Sequence, residues 1–291
     1  MLKIITITTG DIIFLNIQLL TLNKYIKEPF EFIIINACVK KNDFSNSNNT
    51  NAFTNVKNFC QNYNLTFLNF MNDEEQLYYD NLTEPSSRHA FILKKTVAYM
   101  KNNPDEYLNI DSDMFLINDF DIEEYRKYNC AVVLQQNNNV KYIWGGLFYF
   151  NITKMKKLQL LNHFDNGTYN NTPCDTGGGT YEWINSVADI YFNTTDIRQN
   201  DYDYFNKNGI KFIKHLWSCS WNDKEFPNGL NNIILEYCKN DFRNVNNNYY
   251  CEIYDNKFFH YRAGSNWNNY NQELHKILKN KLFNIVTNII L

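Results

Sequence analysis

No charge of one sign dominates this chain: 28 Lys and Arg stand against 31 Asp and Glu, a formal net charge of −3 over 291 residues. That balance lacks the basic footprint of a nucleic-acid-binding protein. The seven cysteines, Cys38, Cys60, Cys130, Cys174, Cys219, Cys238 and Cys251, are scattered and odd in number, with no C-x-x-C pair. Neither a zinc ribbon nor a disulfide framework is expected from them. No run of eighteen apolar residues occurs, so a membrane span is not expected. The N-terminal apolar stretch is broken by Gly10 and Asp11 without a small-residue cleavage pattern; it reads as a first strand and not as a signal peptide, and the cytoplasm is the expected compartment. There is no G-x-G-x-x-G, no P-loop spacing and no internal repeat, which removes the common dinucleotide and phosphate cradles and the solenoids.

What the chain does have is 44% hydrophobic residues and 16% aromatics, enough for a substantial core at this length. About 50 asparagines reflect AT-rich coding more than chemistry. The short apolar, β-branched runs Lys3 to Thr8 and Phe32 to Ala37 flank a periodic apolar segment ending near Tyr25. This reads as strand, helix, strand and predicts an α/β fold with a parallel sheet. A helix is expected from Ser86 to Met100, and strands at Cys130 to Leu134 and at Leu147 to Phe150, the second after Gly145-Gly146. A further helix is expected near the C-terminus, where Leu274, Ile277, Leu278, Leu282, Phe283, Ile285, Val286 and Ile289 recur at helical spacing. Residues 1–270 are expected to form one domain, with a helix over 271–291 packed on it.

The strongest local signal is Asp111-Ser112-Asp113, with an apolar run on each side. Acid inside a strand pattern is costly unless it is paired. The two-residue spacing puts both carboxylates on one side of an extended chain, and two hard oxygen ligands at a strand end suit Mg²⁺ or Mn²⁺.

In this setting the chain resembles the nucleotide-sugar-dependent glycosyltransferases of the GT-A fold. The resemblance runs through Thr8-Thr9-Gly10-Asp11, the Ser86 to Met100 helix, Leu108-Asn109-Ile110-Asp111-Ser112-Asp113, Trp144-Gly145-Gly146 and Asp175. It implies a Rossmann-like, mostly parallel sheet flanked by helices and a UDP-sugar donor. It also implies that Asp113 binds the metal directly and that Asp111 contacts the sugar or ribose and the metal, with Ser112 between them. A second segment, His260-Tyr261-Arg262-Ala263-Gly264-Ser265-Asn266-Trp267, is similar to the His-x-x-Gly-x-x-Lys-Pro-Trp stretch of glycogenin-class retaining enzymes. That likeness makes His260 the third metal ligand and assigns Gly264, Ser265, Asn266 and Trp267 to the diphosphate region. The glycine comes one residue late and Asn266 stands where Lys-Pro would be, so phosphate charge falls to Arg262, Arg88, Lys94 or Lys95.

Thr8, Thr9 and Asn36 lie at the ends of the first two strands, where ligands of open α/β sheets bind; by resemblance they meet uracil and ribose. Gly145 and Gly146 read either as a bend beside a core Trp or as backbone approach to the donor sugar. Asp175 and Glu182 are the candidate catalytic carboxylates, with turn capping as the alternative for both, the more so for Glu182. Gly177-Gly178-Gly179 is placed in the acceptor-side loop. Trp217, Cys219 and Trp221 read as an aromatic core or a sugar platform, and Lys276, Lys279 and Lys281 place the last helix either on a membrane surface or, more readily, packed on the catalytic domain. The expected activity is metal-dependent hexosyl transfer with retention, to a glycan, protein or small molecule. The other functional class open to this sequence is a GT-A-shaped scaffold that binds nucleotide sugar or glycan without turnover. A phosphatase would want its Asp-x-Asp at the first strand, and a nucleotidyltransferase a Gly-rich basic N-terminal loop.

Overall fold

A computed structural model describes residues 1–40, 52–162, 164–188, 209–216, 224, 226–246, 248–264 and 272–290. The chain divides into two compact units, each assembled from three segments. Met1–Gly10, Pro29–Asp111 and Ile122–Ile213 form the first; Asp11–Glu28, Ser112–Asp121 and Lys214–Leu291 form the second.

The first unit is built on a seven-stranded sheet. Its strands are β1 (Leu2–Thr8), β2 (Phe30–Asn36), β3 (Thr66–Leu68), β4 (Glu106–Asp111), β6 (Cys130–Asn137), β7 (Val140–Asn151) and β10 (Ile210–Phe212), in the order β10-β6-β7-β4-β1-β2-β3. β1 is parallel to both β2 and β4, β2 to β3 and β10 to β6, while β7 runs antiparallel to its neighbours β4 and β6. The sheet is therefore mixed and mostly parallel, as expected from the sequence. The helices α2 (Ala52–Asn62), α3 (Asp73–Asn81), α4 (Pro85–Asn102) and α6 (Tyr181–Ala188) flank it, with the short α5 (Glu123–Arg126) beside β6.

The periodicities explain the layers. In β1 and β2, Ile5, Ile7, Ile33 and Ile35 alternate onto one face and share one core cluster with Ile92, Leu93, Val97 and Met100 of α4 and Trp183 and Ile184 of α6. Leu2, Ile4, Phe32 and Ile34 are buried as well, which is why these strands read as continuous apolar runs and not as alternating ones. The helix expected from Ser86 begins with Pro85 in its first turn, where the missing N–H costs nothing. One expectation needs correction: Gly145 and Gly146 do not precede the strand but lie inside the twelve-residue β7. The β6/β7 register pairs Val132 with Phe148 and Leu134 with Ile143, so residues 144–147 of β7 stand against Val133 alone. A glycine pair inside a strand marks such a bulge. A short hairpin, β8 (Gly167–Tyr169) with β9 (Thr172–Cys174), completes this unit.

The second unit carries a four-stranded antiparallel sheet, β11 (His215–Leu216), β12 (Glu252–Tyr254), β13 (Phe258–His260) and β5 (Met114–Leu116), in that order. Three helices accompany it: α1 (Ile12–Tyr25), α7 (Asn232–Lys239) and α8 (Gln272–Ile290). Its core joins Phe14 and Ile17 of α1, Phe115, Phe259 and Ile253 of the sheet, and Leu278, Leu282 and Val286 of α8. One oxygen of the Asp11 side chain caps α1 by accepting from the Ile13 and Phe14 amides, and the other pairs with Lys279 of α8. Lys279 thus has an intramolecular anion. No helix among the described residues is long and apolar enough to cross a membrane.

Candidate metal centre

Asp111 is the last residue of β4. The chain then turns through Ser112 and Asp113 before β5, so the three residues do not stay extended as the sequence spacing suggested. Met114, Phe115 and Leu116 are buried on the far side. The apolar flanks therefore do what they implied: each ends or begins a buried strand, and the acids occupy the turn between.

Within the second unit the antiparallel register builds a centre around Asp113. His260 closes β13 and pairs with Met114 of β5 on one side and with Glu252 of β12 on the other. Its Nε2 lies 3.1 Å from Asp113 Oδ1, and its Nδ1 2.8 Å from Glu252 Oε2. The Tyr254 hydroxyl donates to the same Glu252 oxygen at 2.8 Å. Asp113, Glu252 and His260 are all buried, with 3%, 3% and 4% exposure. A buried charge must be paired or hydrogen-bonded, and here each is both.

The remaining Asp113 oxygen is held from the backbone. After β13, Arg262 and Ala263 both adopt left-handed conformations, φ 58° and 56°, which are costly for residues with a Cβ. The pair reverses the chain so that the Gly264 amide donates to Asp113 Oδ2 at 2.5 Å. Only glycine fits there, because a Cβ would stand 2.6 Å from the Phe14 ring and 2.8 Å from Asp113 Cβ. The turn is anchored from beneath by Arg243, whose Nη1 donates to the Arg262 carbonyl at 2.9 Å. Arg243 grips buried Asp241 through Nε and Nη2 and lies between the rings of Tyr250 and Tyr261, 4.4 and 4.1 Å from their centroids. Arg262 itself faces Glu252 Oε1 at 3.9 Å and the Tyr250 ring at 4.9 Å.

The electrostatics follow from this geometry. Burial alone would suppress the charge on His260, but the neighbouring Asp113 and Glu252 carboxylates outweigh it and raise the imidazole to about 10. Burial likewise works against the two acids; the imidazolium overrides it and holds both below the ordinary carboxylate range. With two anions and one imidazolium enclosed, the cluster retains an excess negative charge and faces oxygen and nitrogen donors toward each other. The 3.1 Å between Asp113 Oδ1 and His260 Nε2 matches the edge of an octahedron of ligands about 2.1 Å from a central cation, roughly 3 Å. One carboxylate oxygen and one imidazole nitrogen make a fitting partial shell for Mn²⁺ or Mg²⁺.

The other expected site residues fall as follows. Thr8 is buried at the end of β1, its hydroxyl accepting from the Gly10 amide, and Thr9 is exposed. Asn36 is buried at the end of β2 and spends its amide group on Asn69 and the Cys38 N–H. Arg88 sits in the first turns of α4, its guanidinium 5.9 Å over the Tyr79 ring, and its buried Nε has no hydrogen-bond partner among the described residues. Lys94 and Lys95 are engaged in ion pairs with Asp165 and Glu75. Gly145 offers its carbonyl to Asn109 at 3.1 Å, and a Cβ on it would meet Leu93 at 2.7 Å. A Cβ on Gly146 would strike the Trp144 ring at 2.3 Å, so packing is tight at both places. Asp175 is exposed; it caps its own turn by accepting from the Thr176 amide at 2.7 Å. Glu182 is exposed in the first turn of α6. Ser265, Asn266 and Trp267 lie outside the described residues, as do Trp217, Cys219 and Trp221. A cavity of about 330 Å³ in the first unit, lined by Cys130, Met155, Trp183 and Ile210 among others, includes none of these positions.

Glu252 is the residue that motif reading missed. A signal for it exists in the alternation Glu252-Ile253-Tyr254, the Asp255-Asn256 turn and the run Phe258-Phe259-His260, a hairpin pattern that pairs residue 252 with residue 260. Both turn residues adopt positive φ, 48° and 54°, as Asp and Asn tolerate.

No protein-family model and no curated protein matches the chain. Among solved structures it is similar to the galactosyltransferase LgtC in complex with donor and acceptor sugar analogues, with 10% identity, 72% of each chain covered and a TM-score of 0.35. An active-site mutant of LgtC gives the same values. Residues 1–349 of TarS from S. aureus share 14% identity over 47% of this chain and 36% of that one, with a TM-score of 0.28.

Proposed function

We propose that this chain is a divalent-cation-dependent glycosyltransferase of the GT-A kind, moving a hexose from a UDP-sugar to an acceptor hydroxyl with retention, and that Asp111, Asp113 and His260 hold Mn²⁺ or Mg²⁺. The observation that carries the reading is the buried Asp113 and His260 pair, locked from behind by Glu252 and from above by the Gly264 amide. Groups so fixed and so desolvated are poor stabilisers compared with an apolar core but good ligands. The cation, when bound, neutralises charge that develops on the departing nucleoside diphosphate.

The chain's own residues supply the rest. Asp113 presents Oδ1, because Oδ2 is committed to the Gly264 amide. Arg262 and Arg88 are the cations assigned to the diphosphate oxygens, a task for which guanidinium geometry suits. Thr8, Thr9 and Asn36 stand at carboxyl ends of parallel strands, the usual place for a nucleotide in an open sheet. Asp175 and Glu182 are assigned to the acceptor side, where their exposure leaves them accessible to a glycan.

The test is Mn²⁺-dependent hydrolysis across a panel of UDP-sugars, with Asp113→Ala as the control. Wild type is expected to release UDP from one donor only when Mn²⁺ or Mg²⁺ is present, and Asp113→Ala to lose at least about 100-fold while remaining folded by circular dichroism. Metal-independent release, or wild-type rates from the alanine variant, would refute the assignment.

A further inference from the structure

Glu252 takes no part in the ligand set above, yet it is as deeply buried as the residues that do. Three observations constrain its role. First, the β12/β13 register sets Glu252 directly opposite His260, so both side chains leave the same face of the sheet and meet as a cross-strand pair. Second, Glu252 Oε2 is the common acceptor for His260 Nδ1 at 2.8 Å and the Tyr254 hydroxyl at 2.8 Å; Tyr254, two residues on, shares that face. Third, Oε1 looks toward Arg262 Nε at 3.9 Å, at the start of the turn that brings the Gly264 amide to Asp113.

A carboxylate can only accept. With both nitrogens facing carboxylates, the metal-free His260 ring carries hydrogen on each; were a cation to displace the Nε2 proton, Glu252 would keep the hydrogen on Nδ1 and leave Nε2 as the atom that can offer a lone pair. That nitrogen is the one turned to Asp113. In a metal-free ion pair Glu252 serves only as the acceptor for the second N–H of the imidazolium. An outer carboxylate on the far nitrogen of a metal-binding histidine, by contrast, fixes tautomer and ring orientation and raises ligand basicity.

We infer that Glu252 is a positioning residue: steadied by the Tyr254 hydroxyl, it fixes His260 with Nδ1 protonated and Nε2 directed at the cation site formed with Asp113. This inference rests on the metal reading given under Proposed function. It extends that reading to a residue outside the D-x-D and His motifs, and it couples the ligand to the hairpin that carries it.

The experiment is isothermal titration with Mn²⁺ alone, on wild type, Glu252→Ala, Glu252→Gln and Tyr254→Phe, joined to nitrogen-15 NMR of the His260 ring in the Mg²⁺-loaded wild-type protein. Glu252→Ala is expected to weaken Mn²⁺ binding about 10- to 100-fold. Glu252→Gln keeps an acceptor for Nδ1–H and is expected to recover most of that loss; Tyr254→Phe should lose only a few-fold. The ring is expected in the Nδ1–H form. Wild-type Mn²⁺ affinity in folded Glu252→Ala, or an Nε2–H ring in the loaded protein, would overturn the role of Glu252 and leave the metal site standing. Absence of saturable Mn²⁺ binding in wild type would instead overturn the metal reading, and the positioning role with it. Should Glu252→Ala fail to fold, failure of Glu252→Gln to bind better than His260→Ala would overturn the inference by itself.

Discussion

Replacing Gly264 by alanine adds one methyl group at the point where the turn after β13 touches Asp113. The added carbon would lie 2.6 Å from Phe14 Cε2, 2.8 Å from Asp113 Cβ and 2.8 Å from Asp113 Oδ2. None of these atoms can yield cheaply. Phe14 is 1% exposed and packed against Phe115 and Tyr261, and Asp113 Cβ is one bond from the backbone. Either the turn lifts or the Asp113 side chain swings away, and both break the amide-to-carboxylate hydrogen bond. Overpacking of this kind costs about 1–3 kcal/mol, and a hydrogen bond to a charged group contributes about 1.5–3 kcal/mol. Relief of one partly relieves the other, so about 2–4 kcal/mol is expected. For a chain of this size that corresponds to a fall in Tm of roughly 3–7 °C, measured by circular dichroism. Mn²⁺ affinity should fall as well, because Oδ1 moves with Oδ2. Phe14→Leu in the same chain should restore part of the melting temperature but not the metal affinity, since the collision with Asp113 persists. A Gly264→Ala protein with wild-type melting and wild-type Mn²⁺ binding would refute the placement of this turn.

Two further substitutions probe the fold. Gly177 has φ +102°, and a Cβ there would stand 1.9 Å from the Ile143 carbonyl oxygen of β7; Gly177→Ala is expected to cost at least about 2 kcal/mol, read as a lower urea midpoint, and an unchanged midpoint would disprove the tight approach. His275 is 6% exposed, with its Nδ1 3.0 Å from the Tyr261 hydroxyl; burial first, and then Lys279, push its pKa down to about 4. The unfolded chain therefore binds a proton near pH 6.5 that the native state refuses until about pH 4, so stability is full above 6.5 and falls as the pH drops through that window, by about 3 kcal/mol. His275→Gln should flatten the difference in unfolding free energy between pH 6.5 and 4 relative to wild type, and parallel profiles for the two proteins would contradict it.

The sequence carried the parallel sheet and the position of the acids because both are local patterns. Isoleucine-rich runs bounded by turn residues announce buried strands, and Asp111-Ser112-Asp113 stands out because charge interrupts such a run. His260 was legible as a candidate ligand only through the likeness of the His260 to Trp267 segment to that of glycogenin-class enzymes. Glu252 was not, because its meaning comes from cross-strand register, which a motif does not encode. Arg243 and Asp241 were hidden for a related reason: they sit two residues apart in a polar, Asn-rich stretch, while the aromatic rings beside Arg243 come from Tyr250 and Tyr261 further along. Gly145 and Gly146 were recognised as a special place but set one element too early, since a bulge and a strand end look alike without the partner strand.

The interleaving of the two units bears on how the protein is made. Asp113 and His260 are 147 residues apart in the chain, and β5, laid down early, has β13 as its sheet partner. During synthesis the first unit can gather most of its sheet once Phe212 has left the ribosome, whereas the Asp11–Glu28 and Ser112–Asp121 segments must wait, apolar faces uncovered, for the last third of the chain. Long-range closure of this sort is slow, and the waiting intermediate exposes surface that invites aggregation. Expression yield should therefore depend on chaperone supply and on translation speed through the C-terminal third more than on the stability of the finished fold. A fragment that stops before β13 would leave β5 without its partner, so truncation from the C-terminal end is the wrong route to a minimal domain.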